Sequence, residues 1–102
     1  MNQQIVDGLK KARTLIENPN NWVNHAPSPE EISKGTYCLV EALTVALNLK
    51  DTGGLVFAKT LDSIRKLIVP EKIVSRYNDS HSHSQILDLI DLAIKQEEEE
   101  KK

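Results

Sequence analysis

The chain has 102 residues, 39% of them apolar, yet it carries only one Trp, one Phe and two Tyr. That length suits one domain burying roughly two thirds of its unfolded surface, and an aliphatic core favours packed helices over a β-sandwich. The net charge of −2 comes entirely from the tail Glu97 to Lys102, so a strongly basic nucleic-acid footprint is absent, although Lys10, Lys11 and Arg13 form one small cluster and Arg65, Lys66, Lys72 and Arg76 another.

From Gln3 to Asn18, Ile5, Leu9, Ala12 and Ile16 recur at helical spacing and predict an amphipathic first helix. Pro19 ends it, because the residue before a proline is pushed out of the α region. The stretch "NPNNWVNHAPSP" then reads as a loop in which Trp22 is the one bulky apolar group. A lone Trp in such a loop serves as a lid on the core.

"SPEE" follows, with Ser28 as N-cap, Pro29 at the first helical position and Glu31 at the third, which makes a capping box. Gly35 interrupts the apolar pattern, at a cost of about 1 kcal/mol in a helix interior. Either one long helix tolerates it or a turn precedes a second helix; the secure part is Thr36 to Leu49, closed by "DTGG".

Leu55 to Val69 predicts a third helix, with Phe57, Ala58, Leu61, Ile64 and Ile68 on its buried side. Pro70 stops it and opens a short helical segment, "PEKIVSRY". "SHSQ", Ser82 to Gln85, is a second capping box, and Ile86, Leu87, Ile90, Ala93 and Ile94 follow as a buried stripe. The run "EEEEKK" reads as a solvated, frayed end. The expectation is an all-α, four-helix bundle-like domain over residues 1–96 with one short extra helical segment, and a charged tail at 97–102.

Cys38, the single cysteine, has no internal disulfide partner. The N-terminus lacks a signal-peptide core, and no apolar run approaches a membrane span. A soluble, cytoplasmic protein is expected.

The order "LKKARTLIENPNNW", "YCLVEAL", "RYNDSHSHSQILDLIDLAI" resembles the domain of unknown function 6197 family of small bacterial proteins, over nearly all of residues 5–95. In that family a helix of the form Ala-Arg-x-Leu-Ile leads to a Pro and a Trp, a Cys-Leu-x-x-Ala-Leu helix follows, and an Asn-Asp pair precedes the last helix. The matching positions are Ala12, Arg13, Leu15, Ile16, Pro19, Trp22, Cys38, Ala42, Leu43, Asn78 and Asp79. Glu41 departs from a glycine usual in the family, which implies looser packing or a turned helix there. The resemblance implies a fold and marks residues; it implies no activity.

Several marked residues invite a chemical reading. A helix starting at Thr36 puts Cys38 in its first turn, where unpaired N–H groups lower a thiol pKa. His25, His81 or His83 as base and Asp79 or Asn78 as orienting group would complete a nucleophilic set in kind. The plainer account makes Cys38 a packed core thiol.

His81 and His83 form an H-x-H that binds a metal only if a further ligand such as Asp79 or His25 converges. The plainer account makes them exposed cap residues. Asn78 and Asp79 suit a turn held by side-chain bonds to backbone N–H groups. Arg13 is placed to bond Asp79 or the carbonyl ends of another helix, and in the first case would clamp the first helix to the last loop; Trp22 is placed to anchor its loop or cover a ligand.

The sequence therefore points to a non-catalytic interaction or regulatory module that engages a protein partner through Trp22, Arg13, Asn78 and Asp79. It calls for no cofactor, metal or membrane, and nucleic acid is disfavoured. The alternative is a thiol-dependent hydrolase or transferase using Cys38 with His81 or His83 and Asp79.

Overall fold

A computed structural model describes residues 2–47 and 54–100. Within them the chain forms six α-helices: α1 (Asn2–Ile16), α2 (Pro29–Ser33), α3 (Leu39–Leu47), α4 (Leu55–Arg65), α5 (Val74–Ser80) and α6 (His83–Glu100). No strand occurs among the described residues. A single parallel bridge joins Trp22 to Tyr37, through Val23 N–H to the Tyr37 carbonyl (3.2 Å) and Tyr37 N–H to the Asn21 carbonyl (2.9 Å). No described helix is long and apolar enough to cross a membrane.

The all-α fold has α1 at its centre, packed chiefly on α3 and α6. Ile5, Leu9, Ala12 and Ile16 are buried as their spacing predicts, with Val6 beside them. They meet Leu39, Ala42, Leu43 and Leu47 of α3 and Ile86, Leu89, Ile90 and Ala93 of α6 in one aliphatic cluster. The close approach of α1 to α3 is made at Gly8, where an added Cβ would overlap the end of the Leu47 side chain. Glu41, where the resemblance suggested a glycine contact, lies half-buried elsewhere on α3.

Both capping boxes form. Ser28 Oγ accepts from Glu31 N–H (3.2 Å) and Glu31 Oε1 from Ser28 N–H (2.9 Å). Ser82 Oγ accepts from Gln85 N–H (3.3 Å) and Gln85 Oε1 from Ser82 N–H (2.8 Å). Gly35 does not sit inside a long helix: its φ of +81° ends α2, and α3 begins at Leu39 rather than Thr36. α1 stops at Ile16, short of Asn18, whose side chain instead accepts from Asn20 N–H (2.9 Å) to cap a 3-10 turn over Pro19–Asn21. Of "DTGG", only Gly54 lies among the described residues; it precedes α4 at φ +84°.

The buried face of α4 differs from the apolar pattern. Val56, Thr60, Ser63 and Ile64 face inward, whereas Ala58 is exposed and Phe57 and Leu61 are half-buried. Polar residues can take the inner face because their hydroxyls find partners there: Thr60 Oγ1 donates to the Val56 carbonyl (2.7 Å) and Ser63 Oγ to Glu97 Oε2 (2.8 Å). α4 ends at Arg65, not Val69, and the chain continues through tight turns, Leu67 N–H to Ile64 carbonyl (2.9 Å) and Glu71 N–H to Ile68 carbonyl (2.9 Å).

The C-terminal helix does not fade at Gln96. It runs to Glu100, and Glu97, assigned above to the solvated end, is only 4% exposed. Gln96 Nε2 donates to Ser63 Oγ (2.8 Å) and to the Ser63 carbonyl (3.1 Å), so Ser63 ties α6 to α4 through two neighbouring side chains.

Candidate functional site

Asn78 is the most connected of the marked residues. It lies inside α5, fully buried, and not in a turn ahead of the last helix as its pairing with Asp79 suggested. Its Oδ1 accepts from Trp22 Nε1 (2.7 Å) and from Leu39 N–H (3.0 Å), while Nδ2 donates to the Val23 carbonyl (3.1 Å) and to Asp79 Oδ1 (3.0 Å). Leu39 is the first residue of α3 and its N–H has no carbonyl within that helix to meet. Asn78 therefore caps α3 from another helix and pins the Trp22 loop with the same side chain.

Cys38 is the N-cap residue of α3. Its carbonyl accepts the first helical bond, from Ala42 N–H (2.9 Å), and its Sγ accepts from Glu41 N–H (3.4 Å), as a serine hydroxyl would. The thiol is buried, and desolvation pushes its pKa above the ordinary value. The N–H groups of Glu41 and Val40 pull the other way, while the carboxylates of Glu41 and Asp79 add to the rise. The helix N-terminus thus acts on this sulfur as expected, but burial outweighs it.

Beside Cys38 lies a cleft of about 360 Å³, whose walls include Pro27, Ile32, Glu41, Ser75 and Asp79. None of its lining residues is a histidine.

The three histidines are engaged at separate places. His83 Nε2 donates to the Ile16 carbonyl (2.6 Å) at the end of α1, and its ring lies 5.6 Å from that of Trp22. His81 Nδ1 donates to the Tyr77 carbonyl (2.8 Å) and its ring stacks on Tyr77 with centroids 3.6 Å apart. His25 Nε2 meets Glu31 Oε1 (3.2 Å). Both assigned donors follow from their carbonyl partners, which fix the ring tautomer. Among the described residues no group of three or more His, Cys, Asp or Glu side chains could hold a metal ion.

Arg13 pairs with α6 and not with Asp79. Its Nε donates to Asp91 Oδ1 (2.7 Å), Nη2 to Asp91 Oδ2 (3.4 Å) and Nη1 to Glu17 Oε2 (2.8 Å). The bond to Asp91 raises the guanidinium pKa. Position along α1 put Arg13 on the correct flank, but the choice between Asp79 and Asp91 depends on how α6 crosses α1.

One surface feature escaped the sequence reading. The turn between α4 and α5 and the Tyr77–His81 stack enclose an open groove of about 440 Å³, lined by Ile68, Val69, Pro70, Glu71, Tyr77 and His81. Val69 is 73% exposed, and Ile73, one turn before Tyr77, is 44% exposed. The apolar pattern predicts Val69 as the end of the third helix and Ile73 as part of the short segment that follows. The usable signal was two bulky apolar residues flanking Pro70 outside any complete helical stripe.

The chain matches no family model, no curated protein and no solved structure.

Proposed function

We propose that this protein is a non-catalytic interaction or regulatory module of the cytoplasm that engages a protein partner, in keeping with its resemblance to the domain of unknown function 6197 family. One contrast carries the reading. Trp22, Asn78, His83 and Cys38, the side chains that invite chemistry, are held by internal bonds, whereas Val69 stands exposed in the groove at Tyr77 and His81 and Ile73 is exposed one turn before Tyr77. Exposed apolar side chains next to a concave surface favour a partner, because docking removes them from water.

The test compares affinity capture by the wild-type chain and by a Val69→Ser/Ile73→Ser double variant, with circular dichroism on both. The expected result is a defined protein retained by the first, lost by the second, and still retained by Cys38→Ser. The opposing thiol-enzyme reading predicts turnover of a substrate that Cys38→Ser abolishes, and that result would overturn the proposal.

A further inference from the structure

The cleft beside Cys38 carries charge of one sign. Pro27, Ile32 and Val40 give it apolar walls, and its two charged lining residues among those described, Glu41 and Asp79, are both acidic. Glu41 is half-buried, and its carboxylate makes no hydrogen bond or ion pair among the described residues. Asp79 is steadied by the bond from Asn78 Nδ2 to its Oδ1 (3.0 Å), and it too lacks an ion pair there. Both carboxylates act on the Cys38 thiol, whose pKa they raise, so their fields meet in the cleft. A cation entering beside these apolar walls is attracted more strongly than one in open water.

From these walls and charges we infer that the cleft takes an arginine side chain of a partner protein. The aliphatic stem lies along Pro27, Ile32 and Val40, and the guanidinium faces Glu41 and Asp79. The inference rests on the interaction reading above and adds a second contact with its own chemistry. Ser75 and Asp79, which line this cleft, leave α5 on nearly the opposite side from Tyr77, which lines the groove, so the two surfaces are separate.

Arginine suits the cleft better than lysine, because its planar fork offers five donors to the two carboxylates and is less strongly hydrated. A metal ion is the poorer occupant, since Cys38, Glu41 and Asp79 are not a group that could hold one. At about 360 Å³ the cleft is small for a ligand site. It has room for one side chain, and lasting contact then needs a chain that continues outside it.

The probe is a fluorescein-labelled Gly-Ala-Leu-Arg-Leu-Ala-Gly peptide, compared by anisotropy on the intact chain with the same peptide bearing citrulline, which keeps the shape of arginine without its charge. Propylguanidinium, followed by amide shifts in NMR spectra, forms the small-molecule arm. The arginine peptide should bind about tenfold tighter than the citrulline one and weaken with salt. It should shift the amides of Ile32, Val40 and Ser75 more than that of Tyr77. Glu41→Gln/Asp79→Asn should cost about tenfold with unchanged circular dichroism, because Asn at 79 still accepts from Asn78. Asp88→Asn, which removes an exposed charge from α6, should cost nothing measurable.

Equal binding of the two peptides, an equal loss in Asp88→Asn, or propylguanidinium binding as tightly as the peptide would each overturn the inference. Failure of the arginine peptide to bind, while partner capture still depends on Val69 and Ile73, would remove the arginine site and leave the interaction reading intact.

Discussion

Trp22 donates its indole N–H to the side-chain carbonyl of Asn78, 2.7 Å away and 56 positions along the chain. The same oxygen takes the first N–H of α3 from Leu39 (3.0 Å). One buried amide thus fixes the Trp22 loop, the start of α3 and α5 relative to one another.

Replacing Asn78 by Ala leaves the Trp22 and Leu39 donors and the Val23 carbonyl without their partner in the interior. An unpaired buried polar group costs about 1–3 kcal/mol, so Asn78→Ala should lose about 3 kcal/mol or more in urea unfolding and shift the Trp22 emission toward the red. A loss under about 1 kcal/mol would mean that water replaces the amide.

The thiol of Cys38 should alkylate slowly in the folded protein, with an apparent pKa above the free-thiol value of about 8.5. Its raised pKa also has a stability consequence. As pH rises through about 8.5 the unfolded thiol ionises while the buried one stays protonated, so the folded state should lose stability there. Cys38→Ser should lack that alkaline limb, and unfolding curves across the range decide it.

The sulfur is also a helix cap. Cys38→Ala should cost about 1 kcal/mol through the unpaired Glu41 N–H, whereas Cys38→Ser, which can cap, should cost less. Equal losses from the two would show that packing of the thiol, and not capping, sets its contribution.

Ser63 and Glu97 lie 34 positions apart and hold the last turns of α6 on α4. Ser63→Ala should cost about 1–3 kcal/mol, since it strips a buried carboxylate of its donor, and amide exchange over the last turns of α6 should accelerate. Adding Glu97→Leu should restore much of the loss, because removing both partners of a buried pair is nearly neutral. Unchanged exchange in Ser63→Ala would show that Gln96 alone holds the helix end.

Arg13 offers a contrast. Its ion pair with Asp91 spans α1 and α6 at 2.7 Å, yet the Asp91 side chain is 51% exposed. Exposed pairs contribute about 0–1 kcal/mol, so Arg13→Ala should change stability by less than about 1 kcal/mol and less still at high salt. A larger, salt-independent loss would point to packing of the Arg13 stem.

The helical class, the inner face of α1 and the two capping boxes at Ser28–Glu31 and Ser82–Gln85 are legible in the residues alone. These features depend on residues within one or two turns of each other, so the chain states them locally. Tertiary structure decided the rest: that Asn78 is a buried junction, that Arg13 meets Asp91, that burial outweighs the helix N-terminus at Cys38, and that Thr60, Ser63 and Glu97 turn inward. A polar side chain is buried only where a hydrogen-bond partner waits, and for Asn78 and Ser63 that partner stands dozens of positions away on another element. The register between helices, which no local spacing encodes, chooses it.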